Sequence, residues 1–596
     1  MSKAHSAGAA LAAVTLTLML LVGACAAGNE LLGTVDTIDP DAGPSVQPPF
    51  CPARCTDDRR GLVDSCNEAG AYVACGATEE CREDRCVDAC KQAEDQKSSV
   101  GCDYYAVMMD IIAPDGLGAC FVSFVTNTFS SNAHISASLM DAPIDLAKYA
   151  KLPVGQGRSL EYKDYDPARG LAPGEVAILF LANWGSVQCP VPAPRSTGAF
   201  VRGSGRGQAF HIQSDVPVVA YQMFPYGGGS AAMTGASLLL PTSAWGTNYV
   251  AVNAYGDLNG APGPSLDIVA FEDETTVQIT PRVAIKGVSG LLEGGPANVP
   301  ISYTLNRGET LQLTQAEELT GSPLISDKKF GLFGGHQCMN VPADVGYCDH
   351  AEQQIAPVQA LGNEYVAVPH RARQTTKAEK YLWRIVGAAG GTTLTYDPPQ
   401  PGAPATLELG EYAQFETDGA FIVKSQDLQH PFMLFGYMTG GGNYDEYGDP
   451  DFVRVVPPPQ WLDRYVFFTD PTYPETNLVV TRKRTQAGTF EDVTLDCYGE
   501  LEGWTPLGPD FQMTRTDLVR HDFEPQGNCD NGVHEMKSNA PFGVTVWGWG
   551  TPETSKGTCD QNTDPISFTC NVSYAYPAGE RVLDVNDIIA GPPIVK

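Results

Sequence analysis

The densest set of side chains able to do chemistry lies between residues 336 and 353. It comprises His336, Cys338, Cys348, Asp349 and His350. A zinc site would need both cysteines as thiolates, with the histidines as further ligands. A disulfide between the two cysteines would use up the sulfurs and leave the histidines as loop or packing residues. An oxidising compartment favours the disulfide.

The polar residues beside this cysteine pair form a candidate ligand loop, with Asp349, His350, Glu352 and Gln353 directly after Cys348. A loop closed by a disulfide has little conformational entropy left to lose on binding, which suits recognition. The other interpretation is that these residues tie two modules of the fold together. The sequence leaves both open.

Aromatic residues alternate in two late segments, Trp547 with Trp549 and Tyr574 with Tyr576. Alternation places each pair on one face of a strand, where the rings could stack on sugars. Rows of this kind are more often buried in a core or between modules.

Catalytic motifs are missing from the chain. There is no G-x-S-x-G elbow, no H-E-x-x-H and no phosphate loop. Acidic pairs are plentiful, but a sequence does not place two carboxylates across a sugar, so a glycan-active hydrolase stays as an alternative. No cofactor is predicted, and structural calcium is only a weak possibility because no acidic loop has the spacing of a calcium site.

Seventeen cysteines predict an exported, disulfide-bonded protein. Residues 51–102 hold eight of them and are predicted to be a disulfide-rich segment, with connectivity that the sequence leaves open. Three later pairs are predicted to close local loops: Cys338 with Cys348, Cys497 with Cys529, and Cys559 with Cys570. Cys120 and Cys189 pair with each other or with the amino-terminal cluster.

The amino terminus predicts export and a lipid anchor. Residues 1–24 read as a signal peptide, with an apolar run over residues 9–22 that is too short to span a membrane. The run ends in V-G-A-C, which resembles the lipobox of bacterial lipoproteins, and the resemblance implies a lipid on Cys25. Ala26 in place of aspartate favours the outer membrane. Residues 25–50 are predicted to be a flexible tether.

Four landmarks recur in the same order beyond the disulfide-rich segment. The first is Pro-x3-Trp/Leu-x3-Tyr-Val, and a hairpin signature and Leu-x2-Gly-Glu follow it. The fourth is a tight connection into a buried strand, at Pro217, Lys329, Pro431 and Pro541, in steps of 112, 102 and 110 residues. Such spacing indicates four units, which begin near Tyr105, Tyr249, Tyr365 and Tyr465.

These units predict an all-β chain of about four tandem sandwich-like modules after the disulfide-rich segment. The predicted modules are residues 103–240 (module 1), 241–356 (module 2), 357–456 (module 3) and 457–596 (module 4 with a C-terminal segment). The alternative is a β-propeller in which each unit makes two blades.

Several blocks in order carry a family resemblance over about residues 100–580. They are residues 207–218, 240–250, 338–353 and 573–579. At these blocks the chain resembles the amino-terminal domain of IgGFc-binding proteins, in the form found attached to bacterial lipoproteins. The resemblance implies an extracellular binding module and offers no catalytic residues.

The net charge and the predicted cellular location together indicate the expected function. The chain has 38 basic and 70 acidic residues, a net charge of −32, which argues against nucleic acid as a partner. We expect a non-enzymatic binding or adhesion protein, anchored in a bacterial outer membrane through Cys25 and facing the cell surface or periplasm. Its ligand would be a protein or a glycan. The alternatives are a glycan-active hydrolase and a purely structural envelope component.

Overall fold

The computed structural model describes residues 53–594, apart from 57–58, 65–71, 113–119, 184–188, 190, 192, 195–197, 227–232, 257–262, 553–568 and 570. The predicted signal peptide and tether, Cys25, Cys559 and Cys570 lie outside the described residues. Pro52–Lys596 forms one compact unit. No helix in the described part is long and apolar enough to cross a membrane.

The amino-terminal segment is small and cross-linked. It contains β1 (Ala53–Cys55), β2 (Gly61–Asp64), β3 (Val73–Ala74), β4 (Glu79–Arg82), β5 (Arg85–Asp88) and α1 (Ala89–Gln96). Disulfides join Cys55 to Cys81, Cys75 to Cys86, and Cys90 to Cys102. So short a segment buries little apolar surface, so these cross-links supply stability that a core would otherwise provide.

The next two stretches are built almost entirely from strands. Within residues 100–239 these are β6 (Val100–Ala106), β7 (Cys120–Asn127), β8 (Ile135–Leu139), β9 (Ala142–Pro143), α2 (Leu146–Tyr149), β10 (Ala150–Val154), β11 (Glu161–Asp164), β12 (Val176–Asn183), β13 (Gly205–Gln208), β14 (Phe210–Phe224) and β15 (Gly235–Leu239). Within residues 246–354 they are β16 (Gly246–Val250), β17 (Pro264–Ala270), β18 (Thr275–Ile279), β19 (Ile301–Leu305), β20 (Glu309–Thr314), β21 (Pro323–Met339) and β22 (Asp349–Gln354).

The remaining strands repeat this arrangement. Within residues 364–454 they are β23 (Glu364–Ala367), β24 (Tyr381–Gly387), β25 (Thr392–Asp397), β26 (Thr406–Leu407), β27 (Tyr412–Thr417), β28 (Phe421–Ser425), β29 (Phe432–Met438) and β30 (Asp451–Arg454). Within residues 462–577 they are β31 (Leu462–Phe468), β32 (Glu475–Lys483), β33 (Val493–Leu495), β34 (Gly499–Glu500), β35 (Thr505–Leu507), β36 (Phe511–Arg520), β37 (Glu524–Pro525), β38 (Val533–Trp549) and β39 (Ser573–Pro577).

One long bent strand joins the two sheets of a module. The first half of β14 pairs with β8, its second half pairs with β7 and β15, and β6 pairs with both halves across the bend. β21 and β38 divide their partners in the same way. The bend coincides with the fourth sequence landmark and with a register shift, as at corners where a strand changes sheets.

Module 3 has two separate strands, β28 and β29, in place of the long one. Six residues separate Ser425 from Phe432 there, and Ser425 Oγ donates to the His430 carbonyl at 2.7 Å inside that connection. The result is two four-stranded sheets, β23-β28-β25-β26 and β27-β24-β29-β30. The longer connection explains why the strand breaks only here.

A buried tyrosine fixes each corner. Tyr249 Oη donates to the Phe330 carbonyl at 2.9 Å, and the same bond recurs from Tyr365 to Phe432 and from Tyr465 to Phe542. In module 1 the equivalent donor is Tyr104, which reaches the Val218 carbonyl at 2.7 Å. The sequence repeat predicts that the first unit begins near Tyr105, and the tyrosine at this corner is its neighbour Tyr104.

The four modules share a centre. The last strand of one sheet in each module contacts its neighbours in the cyclic order β15, β22, β30, β39, so these four strands surround a common core. β13 adds to this sharing, because it lies in the range of module 1 and pairs with β20 of module 2.

The all-β class and the repeated sandwich-like modules are therefore confirmed. The propeller alternative, in which each unit makes two blades, is wrong for the described strands. Only one sheet of each module contributes a strand to the centre, and in modules 1, 2 and 4 the bent strand folds the rest of the module against it.

Candidate functional site

The candidate ligand loop is not at the surface. Asp349–Gln354 is strand β22, and the side chains of Asp349, His350, Glu352 and Gln353 are at most 1% exposed. Cys338 and Cys348 are joined by a disulfide with their Cα atoms 5.1 Å apart. The prediction of a presented surface is wrong, because β22 is one of the four strands at the shared centre.

One face of β22 meets module 1. Glu352 Oε2 accepts a hydrogen bond from Gln222 Nε2 at 2.8 Å and lies 3.8 Å from His350 Nε2. Burial raises the pKa of Glu352 well above its ordinary value and lowers the pKa of His350 to about 4. Burial at this junction between modules therefore favours the uncharged form of both side chains.

The other face of β22 ties three modules together. Gln353 Nε2 donates to the carbonyls of Ala236 and Ala575, each at 2.9 Å. Asp349 accepts from the backbone N–H groups of Thr234, His350 and Ser573. These contacts join β22 to β15, to β39 and to the residue before β15, so the second interpretation of the sequence, a structural tie, describes what these residues do.

The aromatic row is also internal. Trp547, Trp549, Tyr574 and Tyr576 are at most 2% exposed, and Tyr576 Oη donates to the Phe468 carbonyl at 2.8 Å. Rings buried to this extent offer no face at the surface to a sugar.

Zinc ligation does not fit the described cysteines. Cys338 and Cys348 are bonded to each other, and their sulfurs are not thiolates. Asp496, Cys497 and His534 form the only described group of three potential ligands, but Cys497 is bonded to Cys529. Asp496 Oδ1 lies 3.1 Å from His534 Nδ1, which is an ordinary hydrogen bond. Cys120 pairs with Cys189.

A groove of about 1120 Å³ lies among the described residues and is open to solvent. Its walls come from the disulfide-rich segment, from module 1 and from β31 and the C-terminal segment. Five arginines line it: Arg59, Arg60, Arg82, Arg464 and Arg581. We call it the arginine groove.

The arginines outnumber the carboxylates of this groove, which are Glu80 and Asp463. Among the described residues, Arg59 and Arg82 have no ion-pair partner. Arg464 pairs with Glu535 at 2.6 Å but remains 54% exposed. A cluster of this kind in a chain of net charge −32 concentrates positive potential in one place.

Covalent and backbone bonds hold the first three arginines in place. Cys81 precedes Arg82 and is bonded to Cys55, and Cys81 N–H donates to the Arg59 carbonyl at 2.7 Å. Cys75 N–H donates to the Arg60 carbonyl at 2.8 Å. The disulfide-rich segment therefore presents its guanidinium groups from a fixed backbone, which lowers the entropy cost of binding.

Comparison with known proteins places the chain in a family. Residues 235–548 match the family described as "IgGFc binding protein", a stretch that runs from β15 almost to the end of β38. The chain belongs to this family. Human IgGFc-binding protein is 24% identical over 318 residues, which are 52% of this chain and 5% of the human protein. The chain thus corresponds to a small part of that relative.

The family match contains the buried β22 residues and leaves out most of the arginine groove. Arg464 lies inside residues 235–548, whereas Arg59, Arg60, Arg82 and Arg581 lie outside. Sequence reasoning missed the groove because its arginines are up to 522 positions apart. The adjacent Arg59 and Arg60 in an acidic chain were the one local signal.

Proposed function

We propose that this chain is a non-enzymatic binding or adhesion protein displayed from a bacterial outer membrane. The observation that carries the proposal is the family match over residues 235–548, because the family is described by binding. The Fc region named for the human relative is not part of the proposal, since this chain corresponds to 5% of that protein.

The described body suits binding better than catalysis. Its most perturbed carboxyl groups lie between or within modules: Asp267, Asp349, Glu352, Asp449 and Asp451 are at most 2% exposed, and burial raises the pKa of each. A glycan hydrolase needs two carboxyl groups that touch the sugar. These groups cannot do so without unfolding of the centre.

Membrane attachment through Cys25 is the second part of the proposal. It rests on the lipobox-like V-G-A-C and the preceding apolar run. Replacing Cys25 with alanine should abolish lipid labelling and release the protein from the membrane fraction. Retention of the unlabelled variant in the membrane would contradict the anchor.

Binding without turnover is tested with the purified full chain on protein and glycan arrays, followed by product analysis of every captured ligand. We expect capture with no product. Release of product, lost on replacing one carboxylate, would establish the hydrolase alternative instead. If no ligand is captured and cell envelopes change when the protein is removed, the result would favour the structural alternative.

A further inference from the structure

We propose that the arginine groove binds a polyanionic glycan, one whose sugars carry carboxylate or sulfate groups. The inference rests on the proposed function and names the ligand class of its binding site.

Charge selects an anionic ligand. Arg59 and Arg82 have no ion-pair partner among the described residues, and Arg581 approaches Asp463 only to 4.0 Å. A guanidinium presents several N–H donors in a planar fork that matches carboxylate and sulfate oxygens. An anionic ligand would give the guanidinium groups of Arg59 and Arg82 the ion-pair partner that they lack among those residues. Arg59 is exposed to solvent, so a ligand can reach it directly.

Size selects a polymer. Small-molecule pockets commonly enclose about 300–1,000 Å³, and this groove holds about 1120 Å³ and is open to solvent. A folded protein partner presents a broad surface of roughly 800 Å² and enters a concave channel poorly. An extended chain fits the shape better.

The uncharged lining selects sugars among extended chains. Gln96, Thr128 and Ser130 bring amide and hydroxyl groups that can hydrogen-bond to sugar hydroxyls. Phe129 and Pro217 add apolar surface of the kind that contacts the C–H face of a sugar ring.

Nucleic acid fits the groove less well than a glycan does. A duplex carries one charge per ~1.7 Å along its axis, and the surrounding protein has a net charge of −32. Repulsion outside the groove would oppose so dense a polyanion. A glycan with one or two charges per sugar would bind the arginines with less repulsion from the acidic protein around the groove.

The test measures binding of three polysaccharides by the full chain: heparin (sulfated), polygalacturonate (carboxylated) and dextran (neutral). We expect heparin or polygalacturonate to bind and dextran not to bind. Raising NaCl from about 50 to about 500 mM should weaken the affinity at least about tenfold, because screening shortens the reach of each charge.

A matched pair of variants locates the site. The Arg59→Ala/Arg82→Ala double variant should lose at least about tenfold in affinity, because it removes two ion pairs with the ligand. The Arg169→Ala/Arg206→Ala variant removes two exposed arginines outside the groove and should bind as wild type. Melting temperatures of both should match wild type.

The outcomes separate the inference from the proposed function. Capture of a neutral glycan, an acidic peptide or a protein without turnover, with no polyanion binding, would overturn the inference and leave the function in place. Polyanion binding that both double variants retain in full would move the site away from the groove and overturn the inference. Release of product would overturn the function itself.

Discussion

Single buried carboxyl groups make the stability of this protein depend on pH. Asp470 is fully buried; its Oδ1 accepts from Thr472 N–H and Oγ1, each at 2.8 Å, and its Oδ2 has no partner among the described residues. Burial raises the pKa of Asp470 from 3.8 to about 7. Because the folded pKa is raised, the stabilisation is complete below about pH 4 and is lost as pH rises through 7.

The Asp470→Asn variant should remove this dependence. Each pKa unit is worth about 1.4 kcal/mol, so the change from 3.8 to about 7 corresponds to about 4 kcal/mol. Thermal unfolding at pH 5 and pH 8 should show wild type losing stability relative to the variant as pH rises. Asp418→Asn, at a side chain 87% exposed, is the control and should track wild type. A wild-type curve parallel to that of Asp470→Asn would contradict the raised pKa.

The sequence identified chemically capable residues better than it identified their surroundings. The sequence singles out Asp349 and His350 as candidate site residues. In the structure Asp349 accepts hydrogen bonds from the backbone N–H groups of His350 and Ser573. Their burial comes from strands β15 and β39, which are more than 100 residues away on either side. Periodicity within one unit carries no information about such contacts, so a structural tie and a ligand loop looked alike.

Neighbouring modules meet at repeated glycine–proline contacts. A Cβ added to Gly101 would lie 2.6 Å from Pro241 Cβ. A Cβ added to Gly246 would lie at the same distance from Pro357 Cβ, and one added to Gly362 at the same distance from Pro457 Cβ. Each proline begins the first landmark of the next module and precedes a short 3-10 turn. Because glycine has no side chain, it leaves room for the proline with which the following module begins.

Gly362→Ala should push modules 3 and 4 apart. Overpacking of this kind costs about 1–3 kcal/mol, because Pro457 is rigid and cannot move aside. Gly419→Ala is the matched control: nothing lies within 4 Å of its Cβ, so its stability should change by less than about 1 kcal/mol. Urea midpoints measure both. Equal urea midpoints for the two variants would show that the junction between modules 3 and 4 accommodates the added methyl group without loss of stability.

The landmarks predicted where elements turn and missed how they connect. Ser-x-x-Pro before an apolar run indicated a strand start, and proline at such a position normally marks one. In β14 the strand instead continues through Pro217, with its register shifting between Gln213 and Val218. Only the pairing with β8 on one side of the bend and with β7 on the other shows that one strand runs through two sheets.

At the scale of the whole molecule, the C-terminal segment links all four modules. Tyr221 Oη donates to the Ala578 carbonyl at 2.7 Å, which joins the residues after β39 to module 1. Arg581 N–H reaches the Gln460 carbonyl at 2.7 Å in module 4. Asn586 Nδ2 donates to the Val358 and Leu361 carbonyls of module 3 at 2.8 and 2.9 Å.

The last of these links lies on module 2. Asn248 Nδ2 donates to the Ala590 carbonyl, and Ala590 N–H donates back to Asn248 Oδ1, each at 2.8 Å. Both residues are buried, so neither bond can be replaced by water without opening the structure. The segment therefore acts on modules 2 and 3 although it follows module 4 in sequence.

A chain that ends at Arg581 should be less stable throughout. It loses the Asn586 and Ala590 bonds and leaves several buried partners unsatisfied, at about 1–3 kcal/mol for each buried group, so we expect a loss of more than about 3 kcal/mol. Hydrogen exchange should quicken in β16 and β23 as well as near the cut. A chain that ends at Ile594 keeps these bonds and is the control. If faster exchange stayed within residues 457–581 of the shorter chain, modules 2 and 3 would be stable without the segment, and their shared stability would reside in the central strands alone.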